Sequence, residues 1–258
     1  MELSEIIGQR NVFLTDRGNS AIYASLLIAK HLKFKKVLVV DQSGWTTHKT
    51  YPKELGFDVI ELKTDDGLIT KESLESHHDC VLLYQTIAGY FAEQDLEMIY
   101  SLAKKNTLFL IEDICPSVGL MKSKANIAVC SFRRWKPLNL GTGGCIAFSE
   151  NYEGIIKEFI AKHPFEGDEE KLQEKIAQLP KRYDLFFDMV KKVKKDLSEF
   201  EVVHKNKKGI NVVVAFKNES EKKKIISYCE KNNLEFTECP RYIRLERNAI
   251  SIEIKRLS

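Results

Sequence analysis

Cysteine is sparse and unpaired in this sequence of 258 residues: Cys80, Cys115, Cys130, Cys145, Cys229 and Cys239 include no CxxC spacing. Four of them lie in or beside apolar runs, as small core residues do, so neither a disulfide framework nor a structural zinc site is expected. Long hydrophobic runs are missing as well. No stretch approaches the roughly 18 apolar residues that span a bilayer, and the opening MELSEIIGQR has neither a basic region nor a cleavage-like site. A cytoplasmic protein without a membrane partner is expected. A strong charge of one sign is also lacking, since the formal net charge is +3.

What charge there is falls unevenly, with 19 basic and 12 acidic residues from Lys181 onward against 21 and 25 before it. The clusters KKVKK, KNKK and EKKKII read as solvated helix faces or as a surface for a polyanion. No nucleic-acid recognition motif accompanies them. An apolar content of 43% over this length supports one large domain, or one large and one small.

The apolar pattern supplies the organisation. SAIYASLLIAKHLK suits an amphipathic helix, and KKVLVVD is a wholly apolar strand; TTHKTYPKELGF then DVIEL, SLESHH then DCVLLYQT, and DLEMIYSLAKKN then TLFLIED repeat the theme. ANIAVCSF and GGCIAF add two strands. Continuous rather than alternating apolar runs mark strands covered on both faces, hence an α/β fold with a mostly parallel sheet and flanking helices. From Tyr152 to about Phe200 the sequence turns charged and helix-favouring, with a break at HPFEGDEE. EVVH, GINVVVAF, a helix from Ser220 to Asn232, EFTE, RYIRL and AISIEIKR then describe a small α+β unit. The expected domains are 1–165 and 166–258, the second including the helical connector.

Polar residues just beyond strand ends are where open parallel sheets bind ligands. Arg17, Gly18, Asn19, Ser20 and Ala21 open the first long helix, a natural phosphate seat; Asn19 or Ser20 acting simply as N-cap is the alternative. Asp113 ends the strand TLFLIE, where it could face a ligand cation or cap a turn. Trp45 follows a strand end and could lie on a planar ligand or pack in the core. Lys136, in SFRRWKPLNLGTGG, stands in a turn near Gly141, Gly143 and Gly144, where partial desolvation makes an amine able to form a Schiff base. A phosphate anchor, a flat wall, a carboxylate for a ring nitrogen and an aldehyde trap are together what pyridoxal 5'-phosphate (PLP) requires.

With these residues the sequence resembles the DegT-type sugar aminotransferases, a fold type I PLP-dependent family. Ser131-Phe132-Arg133-Arg134-Trp135-Lys136 with Gly141-Thr142-Gly143-Gly144 resembles its lysine motif. The resemblance implies Lys136 as the cofactor lysine, Ser131, Asn19 and Ser20 as phosphate ligands, and Asp113, from the Glu112-Asp113 pair, at the pyridine nitrogen. Trp45 with Gly56 repeats a family interval, and Gly89 resembles a glycine that ends the next strand. The function implied is transfer of an amino group from an amino acid such as glutamate to a keto sugar, possibly nucleotide-linked, by a homodimer. Arg10, Arg17, Arg134 and Arg256 are candidate anion clamps.

Three features depart from the family pattern. Pro116 replaces a side chain that would bond the cofactor's phenolic oxygen, leaving Thr86 or Gln85 as substitutes. Most of the family's N-terminal segment ahead of the first turn is missing, and so is its Asn-x-Arg motif. These departures suit the alternative of a catalytically altered protein that keeps the cofactor pocket as a binding or regulatory subunit.

Overall fold

The computed structural model describes residues 2–257. In chain order the elements are α1 (Leu3–Ile7), β1 (Asn11–Thr15), α2 (Gly18–His31), β2 (Lys36–Val40), α3 (Thr46–Glu54), β3 (Asp58–Leu62), α4 (Lys71–Leu74), β4 (Val81–Gln85), β5 (Ile87–Ala88), β6 (Ala92–Glu93), α5 (Leu96–Asn106), β7 (Phe109–Asp113), β8 (Ile127–Ser131) and β9 (Gly144–Phe148). They continue with α6 (Glu153–Lys162), α7 (Glu169–Asp196), β10 (Glu201–Val202), β11 (Val212–Ala215), α8 (Glu219–Lys231), β12 (Phe236–Cys239), β13 (Ala249–Ile252) and a 3₁₀ turn (Ile254–Arg256).

Seven strands form the main sheet in the order β1-β9-β8-β7-β4-β2-β3. The five from β8 to β3 run parallel, and β9 lies antiparallel between β1 and β8. The carboxyl ends of β1, β2, β4, β7 and β8 therefore share one edge with the start of β9. Alternation along each strand supplies two apolar faces. Val37, Val39, Val81, Leu83 and Ile111 pack beneath α2 with Ile22 and Leu26. Leu38, Val40, Leu82 and Leu110 point the other way, onto Leu74 of α4 and Ile99 and Leu102 of α5. Because both faces are covered, the strand sequences are apolar throughout.

A second, antiparallel sheet, β10-β11-β13-β12, makes the small C-terminal domain. The long α7 lies against both sheets. Its buried residues Leu172, Ile176, Leu179, Tyr183, Phe186, Val190 and Val193 alternate steps of four and three, one continuous stripe. That stripe shares a core with Cys130 and Cys145 of the large sheet and Val212 and Ile250 of the small one. The boundary expected near residue 165 falls in the turn between α6 and α7.

One expected strand is corrected. RYIRL is a turn: Arg244 N–H donates to the Arg241 carbonyl and Arg241 N–H to the Leu245 carbonyl, both at 2.8 Å. Arg241, Ile243 and Arg244 of this turn line a cavity, and Leu245 packs in the core. The structure also adds β1 and the β5–β6 hairpin, which the pattern had not suggested. Among the described residues no helix is long and apolar enough to cross a membrane.

Candidate active site

The shared strand edge opens into a cavity of about 470 Å³, lined by the β1–α2 turn, the end of β7, the β8–β9 loop and the small domain. At the β1–α2 turn, Arg17 holds the N-cap position without a side-chain cap, so neither Asn19 nor Ser20 caps the helix. Gly18 and Asn19 line the cavity there. A Cβ on Gly18 would lie 2.5 Å from the Ser131 Cβ, and one on Gly144 would lie 2.6 Å from the Gly18 nitrogen. Only a chain without side chains at both positions can bring β8, β9 and the helix start this close. The corner is a cradle of backbone, and Ser131 closes it; its hydroxyl accepts the Arg133 N–H at 3.4 Å.

Ser20 does not reach this cavity. It is buried, close to the Asp16 carboxyl and not among the residues that line the cavity. Burial works to raise that carboxyl, but Ser20, Arg17 and His163 together hold it below the usual range. Asn19 accepts a hydrogen bond at Oδ1 from Trp45 Nε1 at 2.9 Å. This bond fixes the indole as a half-buried wall of the cavity rather than as core alone.

Glu112 and Asp113 show the strand alternation at work. Glu112 turns toward α5, where the hydroxyls of Tyr84 and Tyr100, both at 2.5 Å, and of Ser123 saturate it. Asp113 turns into the cavity, 3% exposed, with Oδ1 accepting Cys115 N–H at 3.0 Å and Oδ2 accepting Gln85 Nε2–H at 2.9 Å. His48 of α3, wholly buried, sits 3.4 Å from Oδ2. Burial alone would raise the Asp113 pKa; His48, the Cys115 side chain and Lys136 outweigh it and hold the carboxyl at about 2. A fixed anion faces the cavity.

The lysine loop is folded by its own backbone. Phe132 N–H donates to Gly143 O at 3.0 Å, and Leu140 and Gly141 N–H both donate to Phe132 O at 2.7 and 3.1 Å. Lys136 is thereby carried over the strand ends. Its Nζ donates to Tyr90 Oη at 2.6 Å and lies 5.0 Å from the Trp45 ring centroid. Tyr90 was not singled out from the sequence, because nothing local marks a tyrosine that a hairpin will bury beside a lysine. The substitutes considered for Pro116 are engaged elsewhere: Thr86 Oγ1 bonds Ser117 Oγ at 2.7 Å, and Gln85 holds Asp113. Of the candidate clamps, Arg17, Arg134 and Arg256 line the cavity. Arg10 does not; it lies in a separate depression beside α1 and α7.

Cys115 and Cys130 complete the wall. Burial pushes both thiols above their ordinary pKa, so they remain neutral beside Lys136. All six cysteines are free.

A backbone cradle at a helix start, a carboxylate held ionised, an indole wall and an amine share one strand edge. This is the fold type I architecture of PLP-dependent transferases, with a mostly parallel seven-stranded sheet and a small C-terminal domain. Comparison with known proteins agrees. Helicobacter pylori PseC, an aminotransferase involved in the biosynthesis of pseudoaminic acid, superposes with a TM-score of 0.75 at 17% identity, over 97% of this chain and 83% of that one. A DegT DnrJ EryC1 StrS aminotransferase from Brucella abortus gives 0.74 at 14%, over 99% and 84%. The E. coli GDP-4-keto-6-deoxy-D-mannose-3-dehydratase with bound hydrated PLP gives 0.73 at 13%, over 96% and 84%. By sequence, residues 180–258 match the MJ1341 family C-terminal domain. No curated protein matches the chain.

Proposed function

We propose that the protein is a PLP-dependent aminotransferase that moves an amino group from an amino acid such as glutamate to a keto sugar, possibly nucleotide-linked. The observation that carries this reading is the meeting of the Lys136 amine and the ionised Asp113 carboxylate in one cavity with the backbone cradle of the β1–α2 turn. The residues fit the cofactor: Gly18, Asn19 and Ser131 surround a space closed to side chains and suited to a phosphate at a helix N-terminus. When bound, PLP supplies an electron-accepting ring conjugated to an aldehyde carbon, through which an amino group can be exchanged.

The chain's own residues do the rest. Asp113, whose carboxyl stays ionised at neutral pH, would keep a proton on the ring nitrogen. Trp45 offers a flat wall, held at its angle by Asn19. Lys136 would hold the aldehyde carbon of the cofactor and would serve as the general base at the substrate carbon. Burial keeps the Tyr90 phenol protonated, and its hydroxyl accepts a hydrogen bond from the Lys136 amine and so positions it. Cys115 and Cys130, kept neutral, do not compete with Lys136 as thiolate nucleophiles.

The resemblance further supports a homodimer, and free buried cysteines accord with the reducing cytoplasm as its location. Two absorbance spectra test the function. The purified protein should take up PLP with the visible band of a lysine-held cofactor, and glutamate should abolish that band. Lys136→Ala should show no such band, and the same spectrum in both proteins would refute the assignment. A band that no amino donor changes would favour the reading as a binding or regulatory subunit, which Pro116 supports.

A further inference from the structure

Lys255 is 3% exposed, yet it lines the same cavity as Lys136. It sits on the closing 3₁₀ turn, far in sequence from the motif residues. Its Nζ lies 2.7 Å from Glu253 Oε2 and 5.0 Å from the Tyr90 ring centroid. Glu253 is shared, because Arg244 Nε and Nη2 donate to its two oxygens at 2.6 and 2.7 Å. Lys136 Nζ stands 4.9 Å from that tyrosine ring as well. The charged and titratable groups around Lys255 are thus Glu253, Arg244, Tyr90 and Lys136, with Arg256 Nε 3.7 Å from Glu253 Oε2 and its Nη1 paired to Glu235 at 2.6 Å.

One buried carboxylate answers two buried cations here, with a third close by. A charge removed from water is costly unless an opposite charge meets it, so the cluster is one anion short. The side that remains open is the cavity, where Arg241 is exposed and has no ion-pair partner among the described residues. The phosphate seat at the β1–α2 turn lies on the other sheet, beside Ser131.

We infer that Lys255, backed by Arg244, anchors the oxyanion of the substrate, a carboxylate or phosphate group, on the small-domain side of the cavity. Calling the ligand a substrate rests on the aminotransferase reading; the anion site itself does not. Burial holds the Lys255 amine down to about 7 against the pull of Glu253, with Arg244 and Lys136 adding to the depression. An arriving anion favours the ammonium form. Binding above pH 7 then takes up a proton, and affinity falls as pH rises from about 7 toward the ordinary lysine value of about 10.4.

Calorimetry in two buffers of different ionisation heat at pH 8 tests this. The probes are glutarate, a dicarboxylate with neither amine nor ketone, and inorganic phosphate. Glutarate is titrated into PLP-loaded and PLP-free protein, phosphate into the loaded protein, whose own phosphate seat is filled. At least one anion should bind with uptake of a large fraction of a proton, and the tighter of the two identifies carboxylate or phosphoryl. Lys255→Met should weaken binding by at least about tenfold while the visible PLP band persists. Lys255→Arg should keep the affinity but lose the proton uptake, because a guanidinium is always charged. Should the Met variant fail to fold, the Arg variant decides the matter. Binding without proton uptake, unchanged uptake in Lys255→Arg, or no binding of either anion would overturn the inference. Lys255-dependent uptake in a protein that never forms the PLP band would keep the anchor and discard the cofactor reading.

Discussion

Two adjacent carboxylates, Glu112 and Asp113, differ in fate because a strand sends neighbours to opposite faces. Glu112 is consumed by three hydroxyls, while Asp113 keeps an oxygen facing the cavity and is held at about 2. The depressed value has a sign. A carboxyl whose folded pKa lies below its unfolded value of about 3.9 contributes stability at higher pH and loses it as pH falls toward 2. That contribution is on the order of 2 kcal/mol. Asp113→Asn should therefore flatten the decline of urea stability between about pH 4 and 2, and should slow the glutamate-driven loss of the PLP band by about 100-fold or more at pH 7.5. An unchanged acid limb would show that Asp113 is not ionised in the folded protein. The strand end made Asp113 legible in the sequence. His48 was not legible, because only the packing of α3 against α2 and β2 brings a histidine 65 residues away to within 3.4 Å of it.

At the scale of elements, α7 joins what the sequence divides. Its apolar stripe carries a helical spacing that needs no partner to be read, but which surfaces it covers follows from the tertiary fold. Phe186, fully buried on that stripe, packs in the core shared by both sheets. Phe186→Ala should cost about 3 to 5 kcal/mol, measured by chemical denaturation, through lost burial and the cavity left behind. A loss within 0.5 kcal/mol, the usual range for a surface change, would mean that the helix does not bind the two sheets into one unit. The lysine loop is the opposite case. Its glycines and its serine marked a sharp turn, and the structure shows why they are required: Gly18, Gly144 and Ser131 meet within distances that admit no further carbon.

For the whole molecule, the homodimer remains a proposal, and its mass in solution checks it. Light scattering at micromolar concentration should give twice the chain mass, and a monomer at all concentrations would remove it. What the sequence alone determined was the alternation of helices and strands from α2 to β9, the two-sided burial of the sheet, and the strand ends and turns that carry Lys136, Asp113, Gly18 and Ser131. Those features depend on local spacing and on where a strand ends. Only the tertiary structure decided that Ser20 faces Asp16 instead of the cavity, that Arg10 lies apart, and that RYIRL turns instead of pairing. The placement of Lys255 in the cavity wall, of Tyr90 against Lys136 and of His48 against Asp113 was decided there too. Their roles come from contacts between segments distant in the chain, and no local pattern encodes which buried side chain will meet which.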